Sequence, residues 1–295
     1  MKKYLVLPLF TLGLTVFCPG QTTIQQLKQQ IQASLHGQAA VYAVAFKDLS
    51  TGEELLINEQ EIFHAASTMK TPVLIEVFKQ VQEGRLSLSD SVFVRNEFKS
   101  IVDSSSYSLS PADDSELKLY DLIGKKRSLK DLVDDMITYS SNLATNMVIG
   151  LVGAKNVMRT MHELGANHIQ VLRGVEDSKA YEKGLNNTTT AYDLMIIFEK
   201  IGRGKTVSPA ACRDMIEILL HQHFNTIIPA RLPGEVKVAH KTGNITGVLH
   251  DSGIIILPDG HQYVLVLLSK NIESDEAATN TMAGISEMIY KYVSR

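Results

Sequence analysis

The sequence predicts an α+β protein: an antiparallel sheet flanked by the first and last helices of the chain, plus an all-helical lobe inserted between its strands. Three observations predict it. Strand-like apolar runs lie near both ends, at Ala40–Phe46 and Glu54–Ile57 on one side and at Val236–Ala239, Ser252–Leu257 and Tyr263–Leu268 on the other. Between Ser67 and about Leu220 the apolar residues recur mainly at helical spacing. After Pro233 and Gly234 the period switches back to that of strands. The two strand groups can join in one sheet, so residues 21–64 and 226–295 form a sheet lobe and residues 65–225 a helical lobe. The cleft between them is the natural place for a site.

The elements follow in chain order. Ile24, Leu27, Ile31 and Leu35 are spaced as one face of a helix. Ala40–Phe46 is β-friendly, and the turn residues Asp48 to Gly52 join it to Glu54–Ile57 as a hairpin. From Lys70 to Gln82, Val73, Leu74, Val77, Phe78 and Val81 share a face. Helical pattern continues over Leu129–Met136 and resumes over Ser141–Leu151. Thr188, Thr189 and Thr190 precede a capped helix at Tyr192–Ile201, and Ser208–Pro209 opens another with proline in its first turn. Pro258, Asp259 and Gly260 turn between the last two strands, and Ala277–Tyr292 closes with a helix.

The first twenty residues stand apart. Lys2 and Lys3 precede an apolar run from Tyr4 to Phe17, then Cys18, Pro19 and Gly20. That is the layout of a signal peptide, and the run is short of the roughly 20 apolar residues that span a bilayer. Cleavage after residue 20 implies a secreted or periplasmic protein without stable membrane association. Retention of Cys18 as a lipid anchor is the lesser alternative, because Thr15, Val16 and Phe17 before it are bulky. Cleavage removes two lysines and no acid, so the net charge of −3 becomes −5, which disfavours nucleic acid as a partner. Cys212 then stands alone, with no intramolecular disulfide available. At 44% hydrophobic and 21% charged residues the composition is that of an ordinary globular protein, read as a monomer that stands on its core.

Three short motifs carry chemistry. In Ser67-Thr68-Met69-Lys70 the serine and lysine are three apart and share a helix face. A hydroxyl is a poor nucleophile until a neighbour takes its proton. Lysine can do so if its pKa falls by about 3 units, a cost of roughly 4 kcal/mol, and burial beside another cation can supply that. Ser67 at a helix N-terminus would also gain from the dipole and free N–H groups. In Ser140-Ser141-Asn142, Ser140 can relay a proton to a leaving nitrogen, while Asn142 can hold Lys70 and a substrate carbonyl. In Lys241-Thr242-Gly243, on a strand of the C-terminal group, Lys241 brings positive charge, Thr242 a hydroxyl for a carboxylate, and Gly243 room for a ligand's backbone. The N–H of Asn244 would be the second oxyanion donor beside that of Ser67. Each motif alone is a common local pattern; together, in this order and setting, they are far less so.

With these residues the chain resembles the class A β-lactamases and their penicillin-binding relatives. The segments Phe63–Lys70, Met136–Asn146, Asn187–Thr190 and Ile254–Gly260 carry the likeness further. The resemblance implies the serine β-lactamase and DD-peptidase fold, and acylation of Ser67 by a small β-lactam followed by hydrolysis of the acyl-enzyme, hence resistance, with no cofactor and no metal. It also implies a glutamate that activates the deacylating water, in a pattern R-x-E-x-x-L-N. Glu182, with Leu185 and Asn186, fits that string literally but lies close to Thr188; Glu176 has the better spacing and is preferred. With Glu176 as the base, Ala180 stands where the family holds a water-binding asparagine. Ser141 stands where many members have aspartate. The substrate-binding arginine after the third motif is missing, and His250 occupies that region as a substitute or simply as a strand residue.

Two other readings remain open from the sequence. One is a D-alanyl-D-alanine carboxypeptidase or other penicillin-binding hydrolase that deacylates slowly. The other is a non-catalytic sensor that only binds β-lactam or peptidoglycan in the cleft. A catalytic zinc is disfavoured, because His221 and His223 are two apart with no ligand spacing around them.

Overall fold

The computed structural model describes residues 22–295, so the leader reading and Cys18 lie outside the described residues. The chain enters through α1 (Ile24–Leu35), whose N-terminus is closed by a capping box between Thr23 and Gln26. β1 (Val41–Asp48) and β2 (Glu54–Ile57) form the first hairpin. Asp48 shapes its turn by accepting the N–H groups of Ser50 and Thr51 at 2.7 and 2.9 Å.

The chain then passes through β3 (Phe63–His64) and a 3₁₀ turn, Ala66–Met69, into α2 (Lys70–Gln82). Short strands β4 (Ser91–Phe93), β5 (Phe98–Lys99), β6 (Ser106–Tyr107) and β7 (Lys126–Ser128) lead to α3 (Leu129–Thr138), α4 (Asn142–Val152) and α5 (Ala154–Glu163). After the one-turn α6 (Ser178–Glu182) and β8 (Thr188–Thr189) come α7 (Ala191–Gly202) and α8 (Pro209–Leu220). Strands β9 (Lys237–Ile245), β10 (Val248–Ile256) and β11 (Gln262–Lys270) and the long α9 (Asp275–Val293) complete the chain. Helices α3, α4, α7, α8 and α9 each start on a serine or threonine whose side chain accepts an N–H of the first turn. The sequence therefore writes most helix starts explicitly.

The main sheet has the order β2-β1-β11-β10-β9 and is antiparallel throughout. The two ends of the chain thus meet in one sheet, as the strand-rich termini predict. Both faces are covered, which is why β11 reads as a nearly continuous apolar run and why β10 is buried along its length even where it carries His250, Asp251 and Ser252. Alternate residues feed two cores. Val44, Phe46, Leu265 and Leu267 pack with Leu27 and Ile31 of α1 and Ile285 and Ile289 of α9. Ala43, Ala45, Val264 and Val266 join the core that runs through α7 into the helical part. There α2 is buried on nearly every side and contacts α3, α4, α5 and α8.

Between Ser67 and Leu220 the chain is less purely helical than its periodicity suggests: the pairs β4–β7 and β5–β6 are set within it, as is β8, which pairs with β3 just before it. Two- and three-residue strands carry no periodic signal. The 237–245 strand runs longer than its apolar stretch, because ladder bonds to β10 continue through the polar Lys241-Thr242-Gly243.

The β9–β10 ladder depends on one bare Cα. A Cβ on Gly253 would stand 2.4 Å from the carbonyl oxygen of Ala239 and 2.5 Å from Cβ of His240, both fixed by the sheet. Gly253→Ala should therefore destabilise the protein by about 2–3 kcal/mol. The expected result is a lower urea midpoint with an unchanged m-value; an unshifted midpoint would contradict this packing.

Candidate active site

The 3₁₀ turn that carries Ser67 is tied down from several sides. Thr68 donates its N–H and its hydroxyl to the carbonyl of Ala65, at 3.0 and 2.6 Å. Ala65 N–H bonds Asn187 O at 2.8 Å, and Ala66 N–H bonds His64 Nδ1 at 3.1 Å. Ala66 itself is held at φ +44°, in the left-handed region that an alanine rarely adopts. Ser67 thus opens a continuous 3₁₀–α2 helix and lines a cleft of about 840 Å³ between helices and sheet.

One turn later the Lys70 side chain is fully buried. Its three ammonium donors meet three acceptors: Ser140 O at 2.6 Å, Ser140 Oγ at 3.0 Å and Asn142 Oδ1 at 3.2 Å. Lys241, equally buried, comes from β9 and donates to Ser140 Oγ at 3.1 Å and to Thr242 O at 2.9 Å. Two ammonium groups from separate parts of the fold therefore point at one hydroxyl. Burial drives the Lys70 amine down to about 7, against the opposing pull of the Asp114 and Glu176 charges. Burial and then the neighbouring Lys70 charge drive Lys241 well below the ordinary lysine range.

Asn142 joins this cluster to a carboxylate, since its Nδ2 donates to Glu176 Oε1 at 2.6 Å while its Oδ1 holds Lys70. Glu176 is raised by burial and by the charges of Asp113 and Asp114, while the Asn142 hydrogen bond and Lys70 oppose the rise. The segment before it is clamped from α4. Asn146 accepts the N–H of Val175 at 2.6 Å and donates to its carbonyl at 3.0 Å. Gly174 is needed for this approach, because its Cβ would fall 2.2 Å from Asn146 Oδ1. Arg173 closes the base of the loop on the carbonyls of Gly174 and Leu185, each at 3.0 Å. Glu182, by contrast, sits exposed on α6 and does not line the cleft. Ala180 is buried, its N–H bonded to Asp177 Oδ1 at 3.1 Å.

Thr242, Gly243 and Asn244 all line the cleft. The bareness of Gly243 serves the protein more directly than a ligand: its Cβ would stand 3.2 Å from Ser67 N and from Ala66 Cβ. The glycine lets β9 rest against the Ser67 turn. His250 does not replace the missing arginine. It is fully buried, donates through Nε2 to His64 O at 2.9 Å, and burial drives it down to about 4, so it stays neutral.

Several residues that line the cleft or brace its walls carry no signal in the sequence. Asn146 fell inside an apparently ordinary helix. Asp114 belongs to an aperiodic stretch, yet accepts the N–H of Leu143 at 2.8 Å beside the second motif. Tyr181, Phe224 and Ile245 leave 60%, 41% and 38% of their surface exposed and all three line the cleft, which marks an apolar rim rather than stray surface hydrophobes.

Comparisons with known proteins agree with this geometry. A family model described as "Beta-lactamase enzyme family" matches residues 26–293. The chain is 25% identical to the extended-spectrum beta-lactamase PER-1 of Pseudomonas aeruginosa, over 96% of this chain and 92% of that one. It is 26% identical to a beta-lactamase of Bacteroides uniformis, over 98% of this chain and 99% of that one. Among solved structures it superposes on PBP-A with a TM-score of 0.80 at 28% identity, covering 94% of this chain and 98% of that one. A family match over nearly the whole described chain, around a cleft lined by Ser67 and by a Ser140 that two buried lysines reach from behind, establishes that this protein belongs to the β-lactamase enzyme family.

Proposed function

We propose that the protein is a class A serine β-lactamase with Ser67 as its nucleophile. The observation that carries this reading is the shared hydroxyl: Ser140 Oγ lies 3.0 Å from Lys70 Nζ and 3.1 Å from Lys241 Nζ, beside Ser67 in the same cleft. A neutral Lys70 keeps two N–H bonds and turns its lone pair toward Ser67, whose proton it takes as Oγ attacks the lactam carbonyl. The N–H groups of Ser67 and Asn244 receive the oxyanion. As the C–N bond breaks, Ser140 gives its proton to the leaving nitrogen and is resupplied by the Lys70 or Lys241 ammonium. Lys241 and Thr242 bind the substrate carboxylate, and Asn142 its side-chain carbonyl. Glu176 then takes a proton from water as the water oxygen attacks the acyl carbonyl, and when the ester bond breaks that proton passes to Ser67 Oγ, which restores both groups.

Intact-mass spectrometry should find a transient adduct when the protein meets a penicillin, and none for Ser67→Ala. Glu176→Gln should prolong the adduct about 100-fold or more. Release at the wild-type rate would transfer the role to Glu182.

The pH dependence follows from the lowered Lys70. A depressed amine is protonated only below its pKa, so stopped-flow acylation rates should climb as pH rises through about 7 and level off above it. A rate that is flat across that interval would remove Lys70 as the base. Deacylation should fail on the acid side at a pH above the ordinary carboxylate range, because Glu176 is raised and must be ionised to act.

A slower hydrolase is the second reading, and the likeness to PBP-A favours it. A mutant of that protein has been seen as an acyl-enzyme with penicillin G. Ala180 also offers no side-chain polar group to hold a deacylating water. A burst of chromogenic cephalosporin cleavage without turnover would support that reading over the lactamase.

We further propose that residues 1–20 direct export and are removed, leaving a secreted or periplasmic monomer. Among the described residues no helix is long and apolar enough to cross a membrane. N-terminal sequencing of the exported protein should begin near Gln21; a lipid-bearing Cys18 would establish an anchor.

A further inference from the structure

The Ser140-Ser141-Asn142 turn holds Lys70 through three of its atoms, so whatever fixes that turn fixes the base. Ser140 itself is strained at φ +58° and cannot hold its own geometry. Ser141 caps α4, its Oγ accepting the N–H of Ala144 at 3.1 Å. Its proton is left to donate, and it goes to Asp114 Oδ2 at 3.3 Å. The same oxygen accepts Leu143 N–H at 2.8 Å and the Tyr120 hydroxyl at 3.1 Å, while Asp114 Oδ1 accepts Glu116 N–H at 3.1 Å. The residues on either side add two more ties. Asn142 Nδ2 reaches Asp113 O at 3.3 Å, and Ser115 Oγ donates to Tyr139 O at 2.6 Å. Residues 113–115 therefore grip the turn at positions 139, 141, 142 and 143.

We propose that Asp114 is a positioning residue: from outside the turn it supplies the carboxylate that holds Ser140 and Asn142 in register with Lys70. The inference rests on the reading of Ser67 as the nucleophile and Lys70 as its base. Its charge is felt in the same place. Lys70 faces Asp114, Glu176 and Lys241; Asp114 holds the Lys70 proton on, and with Asp113 it raises Glu176. Tyr120, bonded to the same carboxylate, is raised as well.

Three variants test it: Asp114→Ala removes the anchor, Asp114→Asn keeps its shape without the charge, and Asp114→Ala with Ser141→Asp returns a carboxylate across the 3.3 Å bond, at a cap position where aspartate is as good as serine. Acylation by a penicillin should slow about tenfold or more in Asp114→Ala, the loss expected when charge-assisted hydrogen bonds go unmade. The double variant should recover most of it. In Asp114→Asn the acid limb of acylation should move to lower pH, because one anion that retained the Lys70 proton is gone, a change that altered packing alone would not produce. Wild-type acylation in Asp114→Ala, an unmoved limb in Asp114→Asn, or a double variant as slow as Asp114→Ala overturns the proposal. Amide hydrogen exchange on the free protein supplies a readout that needs no substrate. Asp114→Ala should lose protection at residues 141–144, and unchanged protection overturns the proposal. If the wild type takes no adduct, the hydrolase reading fails while the anchoring of the turn is still decided by exchange.

Discussion

Everything in the cleft is arranged around a serine oxygen that receives two buried ammonium groups. An unpaired ammonium in a protein interior costs several kcal/mol, so Lys70 and Lys241 can be buried only if each finds acceptors. Between them they use the hydroxyl and carbonyl of Ser140, Asn142 Oδ1 and the carbonyl of Thr242. The remaining cost appears as lowered proton affinity in both amines. On the proposed reading, what would be a defect in an ordinary core becomes a source of reactivity: an amine near neutrality, as Lys70 is, can take a proton and return it. The charged lysine on an exposed helix face could do neither.

Such a site has to be forced together by the rest of the molecule. Six residues other than glycine have positive φ among the described residues, and three of them, Ala66, Ser140 and Glu176, line the cleft. Each such residue costs about 1–3 kcal/mol, which only a rigid surround can impose. The surround is visible: Asn187 and His64 hold the Ser67 turn, Asp114 the Ser140 turn, and Asn146 with Arg173 the Glu176 loop. Asn187, Asp114 and Asn146 reach these turns from segments distant in sequence, so much of the strain is met by tertiary packing and not by local propensity.

That division also explains what the sequence made legible. Ile24–Leu35, Glu54–Ile57 and Lys70–Gln82 appear in the structure with the bounds their residue patterns predict, because each places its apolar residues at regular intervals in a core. Serine and threonine caps marked several other starts. Ser67, Lys70, Ser140, Asn142 and Lys241 stood out as candidates because reactive residue types recur at short fixed spacing, and the fold gathers them at one end of the cleft. Between Glu176 and Glu182 spacing favours Glu176, but the contacts that set the two apart, the Asn142 bond to Glu176 and the clamp of Asn146 on Val175, lie 34 and 29 residues away and leave no mark in the polar loop itself. His250 had the right neighbourhood but the wrong depth, and burial is not written in a strand's residue types. Gly243 was noticed for the room it leaves a ligand, whereas its close neighbour is the backbone of Ser67. In each case the missing information was a contact across the fold.

A strand, not a helix, carries the third motif, and its two-residue period has a consequence for the whole cleft. Alternation sends Lys241 toward Ser140 and Gly243 against the Ser67 turn, on the side of α2. His240, one residue before Lys241, goes the other way. Its Nδ1 lies 2.8 Å from Asp251 Oδ1 and its Nε2 3.1 Å from Asn225 Oδ1. The Asn225 amide is oriented by its bond to Gln222 O at 2.8 Å, and Asp251 also accepts Ile228 N–H at 3.0 Å. The 222–228 segment, which brings Phe224, Thr226 and Ile227 to the rim, is thereby fastened to the same strand that delivers Lys241. Any shift of β9 along its axis would move the Lys241 amine, the wall of the Ser67 turn and the rim together. The ladder to β10, with Gly253 opposite His240, forbids that shift, so the register of one strand pair sets the dimensions of the cleft.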